Sequence, residues 1–299
     1  MKSDKLTFDE LRQKISRLDK IPSVASILRT LLKELDRPPD QVKLDKVVEL
    51  ISSEESMVAK CLHLANSPLF GQAGRVSGIR AAVLLLGVVR LRDVLVSSCL
   101  MNAMPKFANG MPATVFWEHS LACALSSRHL AKQIGFPDAD KAYLAGLLHD
   151  IGQIVNVIYF PEELQRSLAF SGERGVPIEV AEREIMGFTH CETGWVLAQE
   201  WSLPPDVQDV ILHHHQPERE LDHADLTAIV NLADKLCFIG GITYAPVYAM
   251  QLDILDEPAW SILLERYPQM QTFDLARLGF ELESHFGEVR EVVASLFRV

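Results

Sequence analysis

An ordered set of histidines and aspartates runs through the middle of the chain: His119, His149-Asp150, His190, His213-His214-His215 and Asp234. Neutral imidazole nitrogen and carboxylate oxygen together are the donors that divalent Fe, Mn, Ni or Zn accepts. His149-Asp150 lies in the apolar run LLHDIG, and a carboxylate buried there is costly without a partner. A divalent cation would neutralise it. Taken singly, each histidine reads as a packing residue, and the triple histidine reads as a favourable charge at a helix C-terminus. The ordered set is what points to a metal. The expected ligands are His119, His149, Asp150, His190, His214, His215 and Asp234, with His213-His214 as an alternative register for the pair. The expected cofactor is one or more divalent ions among Fe, Mn, Ni, Zn and Mg. The five cysteines (Cys61, Cys99, Cys123, Cys191, Cys237) form no CxxC pair. Cys123 and Cys191 read as small core residues, so no thiolate is counted among the ligands and no nucleophilic triad is supported.

The elements that must carry these residues are helical. His119 lies in a helix predicted over Thr114–Ile134 and stopped by Gly135 and Pro137. His149-Asp150 lies within a second helix predicted over Ala139–Tyr159, apolar on most sides. A third, from Val176, is closed by Gly187. Thr189 and Glu192 have capping-box spacing and start a helix with His190 in its first turn, running to Trp201. Pro204-Pro205 starts the helix that ends in the triple histidine, and Asp225–Ile239, closed by Gly240-Gly241, carries Asp234. Upstream, Thr7 to Glu10 and Ser52 to Glu55 are further capping boxes. Val24, Ile27, Leu28, Leu31, Leu32 and Leu35 follow helical period, and Ile79–Leu86 reads as a buried helix. Arg75, Arg80, Arg90 and Arg92 flank it as a solvated rim. Residues 102–113, with two prolines and a glycine, are the best linker. The expected organisation is an N-terminal helical lobe (1–105), a second helical lobe with the metal site (106–240) and a helical extension (241–299).

Composition agrees with packed helices. Of 299 residues, 48% are hydrophobic and only 7% aromatic, a globular balance dominated by aliphatics. The net charge is −11, which repels a phosphate backbone and weighs against direct nucleic-acid binding. The longest uncharged stretch, Leu236–Leu252, is interrupted by glycines and a proline and makes a poor membrane span. The N-terminus carries no apolar signal segment. Scattered, odd-numbered cysteines suit a reducing compartment, so a cytoplasmic location is expected.

The order His119, His149-Asp150, Asp234 resembles the H…HD…D pattern of the HD superfamily of metal-dependent phosphohydrolases. Residues around 20–217 resemble more closely the HDOD subfamily, the HD-related output domain of bacterial signalling proteins. The stretches that carry this are IPSVASILRTLLKEL, VVELISSEESMVAKCLHLANSPLFG, GIRAAVLLLGVVRLRDVLV, AGLLHDIGQIV and VILHHHQP. The resemblance implies an all-α fold of two helical lobes, the second an HD-domain-like bundle holding the site. His190, His214 and His215 match the extra histidines of the related HD-GYP phosphodiesterases. Two departures from that group weigh against cyclic dinucleotide cleavage. Gln153 replaces the lysine of HDIGK, removing a point charge suited to phosphate, and the DGxGYP stretch gives way to Pro217–Glu220.

The expected function is a signal-transduction module that binds a protein partner or a small nucleotide-like ligand, with a metal-binding HD site. The alternative is a metal-dependent phosphohydrolase acting on a nucleotide or cyclic nucleotide, with Lys235 as a candidate phosphate contact. A third possibility is a purely structural site whose histidines are satisfied by Asp150, Asp234 and water.

Overall fold

The computed structural model describes residues 11, 13, 15, 22–35, 37–38, 41–52, 55–70, 76–103, 111–219, 222–245 and 253–297. The capping box at Thr7 to Glu10, residues 104–110 of the expected linker, Arg75 and Glu220 lie outside them, as do the side chain of Glu55 and residues 53–54. The described residues are helical, with no strand among them. This is the all-α class that aliphatic residues at 3.6-residue spacing dictate. They fall into two compact units, one drawn from 18–105 with 287–299, the other from 106–286 with 1–17. No helix among them is long and apolar enough to cross a membrane.

The first unit contains α1 (Pro22–Leu35), α2 (Leu44–Ser52), α3 (Glu55–Ala65) and α4 (Ile79–Ala103), with α1 and α3 packed on α4. Leu28, Leu31, Leu32 and Leu35 are buried, as their spacing predicts. In the LANSPLFG stretch the Asn66 side chain clamps Val76: its amide donates to the Val76 carbonyl and its carbonyl accepts the Val76 N–H, both at 2.8 Å. The expectation of a buried helix over Ile79–Leu86 is corrected. Ile79, Ala82 and Leu86 are buried, but Leu85 is 44% exposed. Gly87, at φ 75°, breaks α4 after this first segment. The unbroken buried run comes later, from Asp93 to Met101. Arg80 pairs with Asp45 on the surface, and Arg90 donates to the Phe70 carbonyl.

The second unit contains α5 (Ala113–Ile134), α6 (Ala139–Leu148), α7 (Gly152–Tyr159), α8 (Pro161–Arg174), α9 (Ile178–Ile185), α10 (His190–Glu200), α11 (Pro205–His213), α12 (Ala224–Ile239) and α13 (Pro258–Arg266). α14 (Leu275–Phe297) begins in it and supplies residues to both units. α5 packs along α6 and α12, and its buried face includes Phe116, Trp117, Leu121 and Leu130. Gly135, at φ 78°, caps α5, a left-handed position that suits glycine. The capping box at Thr189 is formed: the Glu192 carboxylate accepts the Thr189 N–H at 2.8 Å.

The single helix expected over Ala139–Tyr159 is two helices. They are separated by a turn at His149, Asp150 and Ile151. The break is a tightening of the ladder: Ile151 and Gln153 donate to carbonyls three residues back, those of Leu148 and Asp150. Such a turn advances residues by about 120° rather than about 100°. Apolar periodicity passes through it, because every residue from Tyr143 to Val157 is buried.

Candidate metal centre

Five segments of the second unit deliver donors to one point. α5 supplies His119, the α6–α7 turn His149 and Asp150, the first turn of α10 His190, the end of α11 His214 and His215, and α12 Asp234. All seven residues expected from the sequence come together there. His214 and His215, rather than His213, face His190, with Nε2–Nε2 distances of 3.4 and 3.1 Å. His213 instead feels Arg219 and Asp209.

Asp150 is the pivot. Its Oδ2 lies 3.1 Å from His149 Nε2 and 3.3 Å from His119 Nε2. Its Oδ1 lies 3.2 Å from His190 Nε2 and 3.4 Å from His214 Nε2. Asp234 completes the first set, with Oδ1 3.2 Å from His119 Nε2 and 4.0 Å from His149 Nε2. Its Oδ2 stands 4.0 Å from His215 Nδ1. One carboxylate thus separates a set of His119, His149 and Asp234 from a set of His190, His214 and His215.

The tautomers follow from the other face of each ring. His119 Nδ1 donates to the Ile242 carbonyl at 2.9 Å, His149 Nδ1 to Gly146 at 2.7 Å and His214 Nδ1 to Ile211 at 3.2 Å. His190 Nδ1 donates to Glu182 Oε2 at 2.6 Å. Each partner only accepts, so each Nδ1 carries the hydrogen and each ring turns its Nε2 inward, a bare lone pair whenever the ring is neutral. Two such lone pairs, on His119 and His149, stand 3.2 Å apart. Asp150 Oδ1 is buried and accepts no hydrogen bond despite the two nitrogens beside it. Lone pairs facing lone pairs need positive charge between them. The nitrogen and oxygen donor set fits a divalent cation.

Without a cation, protons on some of the rings supply that charge. Burial pushes the His119 imidazole down, but the carboxylates of Asp150 and Asp234 outweigh it and hold it at about 10. His149 is raised well above the usual histidine range: burial opposes this, while Asp150 and Cys123 drive it. Against burial, the surrounding imidazoles hold Asp150 well below the carboxylate range, and His119 does the same for Asp234. Burial lowers His214, and burial with the neighbouring rings His214 and His190 lowers His215 well below its ordinary value, so these two rings are neutral and free to coordinate.

Several participants were not expected from the sequence. Tyr244 donates its hydroxyl to Asp150 Oδ2 at 2.7 Å, and burial together with Asp150 raises that phenol well above its ordinary range. Glu182 is fully buried and grips His190 twice, accepting its backbone N–H at 2.8 Å as well as Nδ1. Glu179, one helical turn earlier on α9, points Oε2 to within 3.8 Å of His215 Nε2. Gln153, at the place of the HD-GYP lysine, donates to Glu182 Oε1 at 2.7 Å. Cys191 Sγ lies 3.6 Å from His190 Nε2. Acidic residues on a short amphipathic helix read as its solvent face, and Tyr244 lies beyond the last segment that carried a motif. Lys235 lies on the cleft wall but is engaged by Glu257 at 2.9 Å. The centre opens into a cleft lined by His119, Asp150, Glu179, His215, Asp234 and Lys235.

The HDOD domain family model matches residues 21–217. A solved HDOD domain protein of unknown function from Geobacter sulfurreducens is 28% identical and covers 98% of each chain, with a TM-score of 0.82. A proposed phosphohydrolase from Shewanella amazonensis SB2B shares the fold at 24% identity, covering 96% of this chain and 97% of its own, with a TM-score of 0.72. An uncharacterized protein of Treponema pallidum (strain Nichols) is 29% identical over 234 residues, 76% of this chain; the chain spans 44% of that relative's length.

Proposed function

The chain belongs to the HDOD domain family, and from that premise we propose that it is a bacterial regulatory module whose HD site holds divalent cations and binds a small phosphate-bearing, nucleotide-like ligand in the adjoining cleft. The observation that carries this is Asp150, whose two oxygens each face a separate pair of inward-turned imidazole nitrogens. His119, His149, Asp150 and Asp234 would hold one cation, and His190, His214 and His215, with the other oxygen of Asp150, a second. Tyr244 fixes the Asp150 carboxylate by donating to Oδ2. A ligand phosphate would enter past Lys235 and compete with Glu257 for its ammonium. Ligand occupancy is then what the module reports to a partner protein. The buried, free cysteines suit a reducing cytoplasm.

Metal analysis of the purified protein, before and after incubation with Mn, Fe, Ni, Zn or Mg, is the first test. Up to two ions per chain are expected in the wild type, falling in His149→Ala and Asp150→Ala. A protein that takes up none of these ions overturns the proposal. Calorimetry of the loaded protein against nucleotides then tests the ligand class.

A second reading, metal-dependent phosphohydrolase, is favoured by the opening of the cleft directly onto His119, Asp150 and Asp234. When bound, a divalent cation supplies Lewis acidity and lowers the pKa of a coordinated water toward ~7. Asp150 and Asp234 would then orient the donors, and Lys235 would meet the phosphate as a point charge. Turnover of nucleotides or cyclic nucleotides that disappears in His149→Ala supports this reading. Ligand binding without turnover by the loaded protein leaves the regulatory one.

A further inference from the structure

The two donor sets around Asp150 differ chemically. His119, His149, Asp150 and Asp234 offer two nitrogens and carboxylate oxygens. The other set holds a sulfur atom as well. His190 Nε2 lies 3.1 Å from His215 Nε2, 3.4 Å from His214 Nε2 and 3.6 Å from Cys191 Sγ, and one ligand atom from each of these four residues lies within 4.8 Å of the others. A tetrahedral zinc site with Zn–N of about 2.05 Å and Zn–S of about 2.3 Å has N–N edges of about 3.3 Å and N–S edges of about 3.6 Å. The distances from His190 are therefore those of tetrahedron edges.

We propose that Cys191, in place of the second oxygen of Asp150, is the fourth ligand of the cation site formed by His190, His214 and His215, and that this site selects zinc over magnesium and manganese. The inference rests on the metal-binding reading above, exchanges one ligand of the second cation and adds a selectivity. Its position is set by the backbone. Thr189 caps α10, so His190 and Cys191 are the first two residues of the helix. The Cys191 side chain is buried, so the sulfur gives up little solvation when it coordinates. Thiolate is the donor that distinguishes zinc from the hard ions, which prefer oxygen. The four histidine and cysteine side chains also come from only two segments, α10 and the end of α11, so the site assembles without α5 or α12.

The test is loading of the full chain with Co²⁺ and, separately, with Zn²⁺. Cobalt bound to thiolate gives an intense sulfur-to-metal charge-transfer band in the near ultraviolet. The wild type and Cys61→Ser, a substitution in the first unit, are expected to show the band, and Cys191→Ser to lose it. Thermal midpoint and far-ultraviolet circular dichroism check that each variant is folded. Zinc affinity in Cys191→Ser should fall by more than the about 10–100-fold that loss of an outer-shell partner costs, with manganese uptake at the first set unchanged. Cobalt uptake by the wild type without the band, or a band that survives in Cys191→Ser, overturns the sulfur ligand and leaves the metal-binding reading standing. No uptake of any cation overturns both.

Discussion

Glu182 shows how much of the centre depends on single atoms outside the ligand set. Its four contacts are all with donors. Oε2 accepts the N–H and Nδ1–H of His190, and Oε1 accepts Gln153 Nε2 at 2.7 Å and Asn156 Nδ2 at 3.4 Å. Only an ionised carboxylate satisfies such a set. A glutamine at this position must turn its own NH₂ toward one pair of donors, whichever way it flips. Glu182→Gln is therefore expected to weaken cation binding at the His190, His214 and His215 set by about 10–100-fold. Binding at the His119, His149 and Asp234 set should be unaffected, and titration calorimetry resolves the two. Wild-type affinity at the His190, His214 and His215 set in Glu182→Gln would mean that the Glu182–His190 pair is only structural. Gln153 acquires a role in the same network. It lacks the charge of lysine but anchors the carboxylate that orients His190.

At the level of elements, the centre needs α7 and α10 to touch. Gly152 opens α7 directly after the His149–Ile151 turn, and Gly194 lies one turn into α10. A Cβ at Gly152 would stand 1.9 Å from the His190 carbonyl and 2.6 Å from the Gly194 nitrogen. Backbone atoms on both sides cannot move away as a side chain can. Gly152→Ala is expected to destabilise the fold at the upper end of the about 1–3 kcal/mol typical of overpacking, and to pull His190 from Asp150. Chemical denaturation together with metal content would show both effects. A variant with unchanged stability and metal content would mean that the two helices can separate without cost. The same contact explains the glycine in HDIG physically: the residue lets one helix approach another closely, next to the aspartate that both donor sets share.

For the whole second unit, cation and proton are alternative sources of the positive charge that the carboxylates require. His119 is held at about 10, above its ordinary 6.5. Its contribution to stability in the metal-free protein is therefore complete below pH 6.5 and is lost as pH rises toward 10. Asp150 and Asp234 are depressed. What they contribute is present above their ordinary 3.8 and is lost only as pH falls through their lowered values. The thermal midpoint of the metal-free protein is thus expected to decline between pH 6.5 and 10. The loaded protein should not share that decline, because the cation replaces the proton at Nε2. At a hundredfold excess over Kd the cation adds about 2.7 kcal/mol, a rise in midpoint of several degrees that a chelator reverses. A flat midpoint across that pH range in the stripped protein would show that His119 is not charged there.

The sequence by itself determined the helical class, the ends of several helices though not those of the helix Pro161–Arg174, and the seven residues that converge. Helical period, proline and glycine stops and the cap at Thr189 are local signals, and a histidine or aspartate inside an apolar helix stands out against its neighbours. It also left two registers of the triple histidine in competition. Tertiary structure decided what local pattern does not encode. The break of the helix at His149 is invisible to periodicity because residues on both sides of it are buried. The choice of His214 and His215 over His213 depends on the angle at which α11 meets α10. Glu182 and Tyr244 gain their roles from the packing of separate segments, and Cys191 looks like any small buried residue until the end of α11 brings two imidazoles up to it. Distances between side chains far apart in sequence are set by how helices cross, and only the folded chain fixes those crossings.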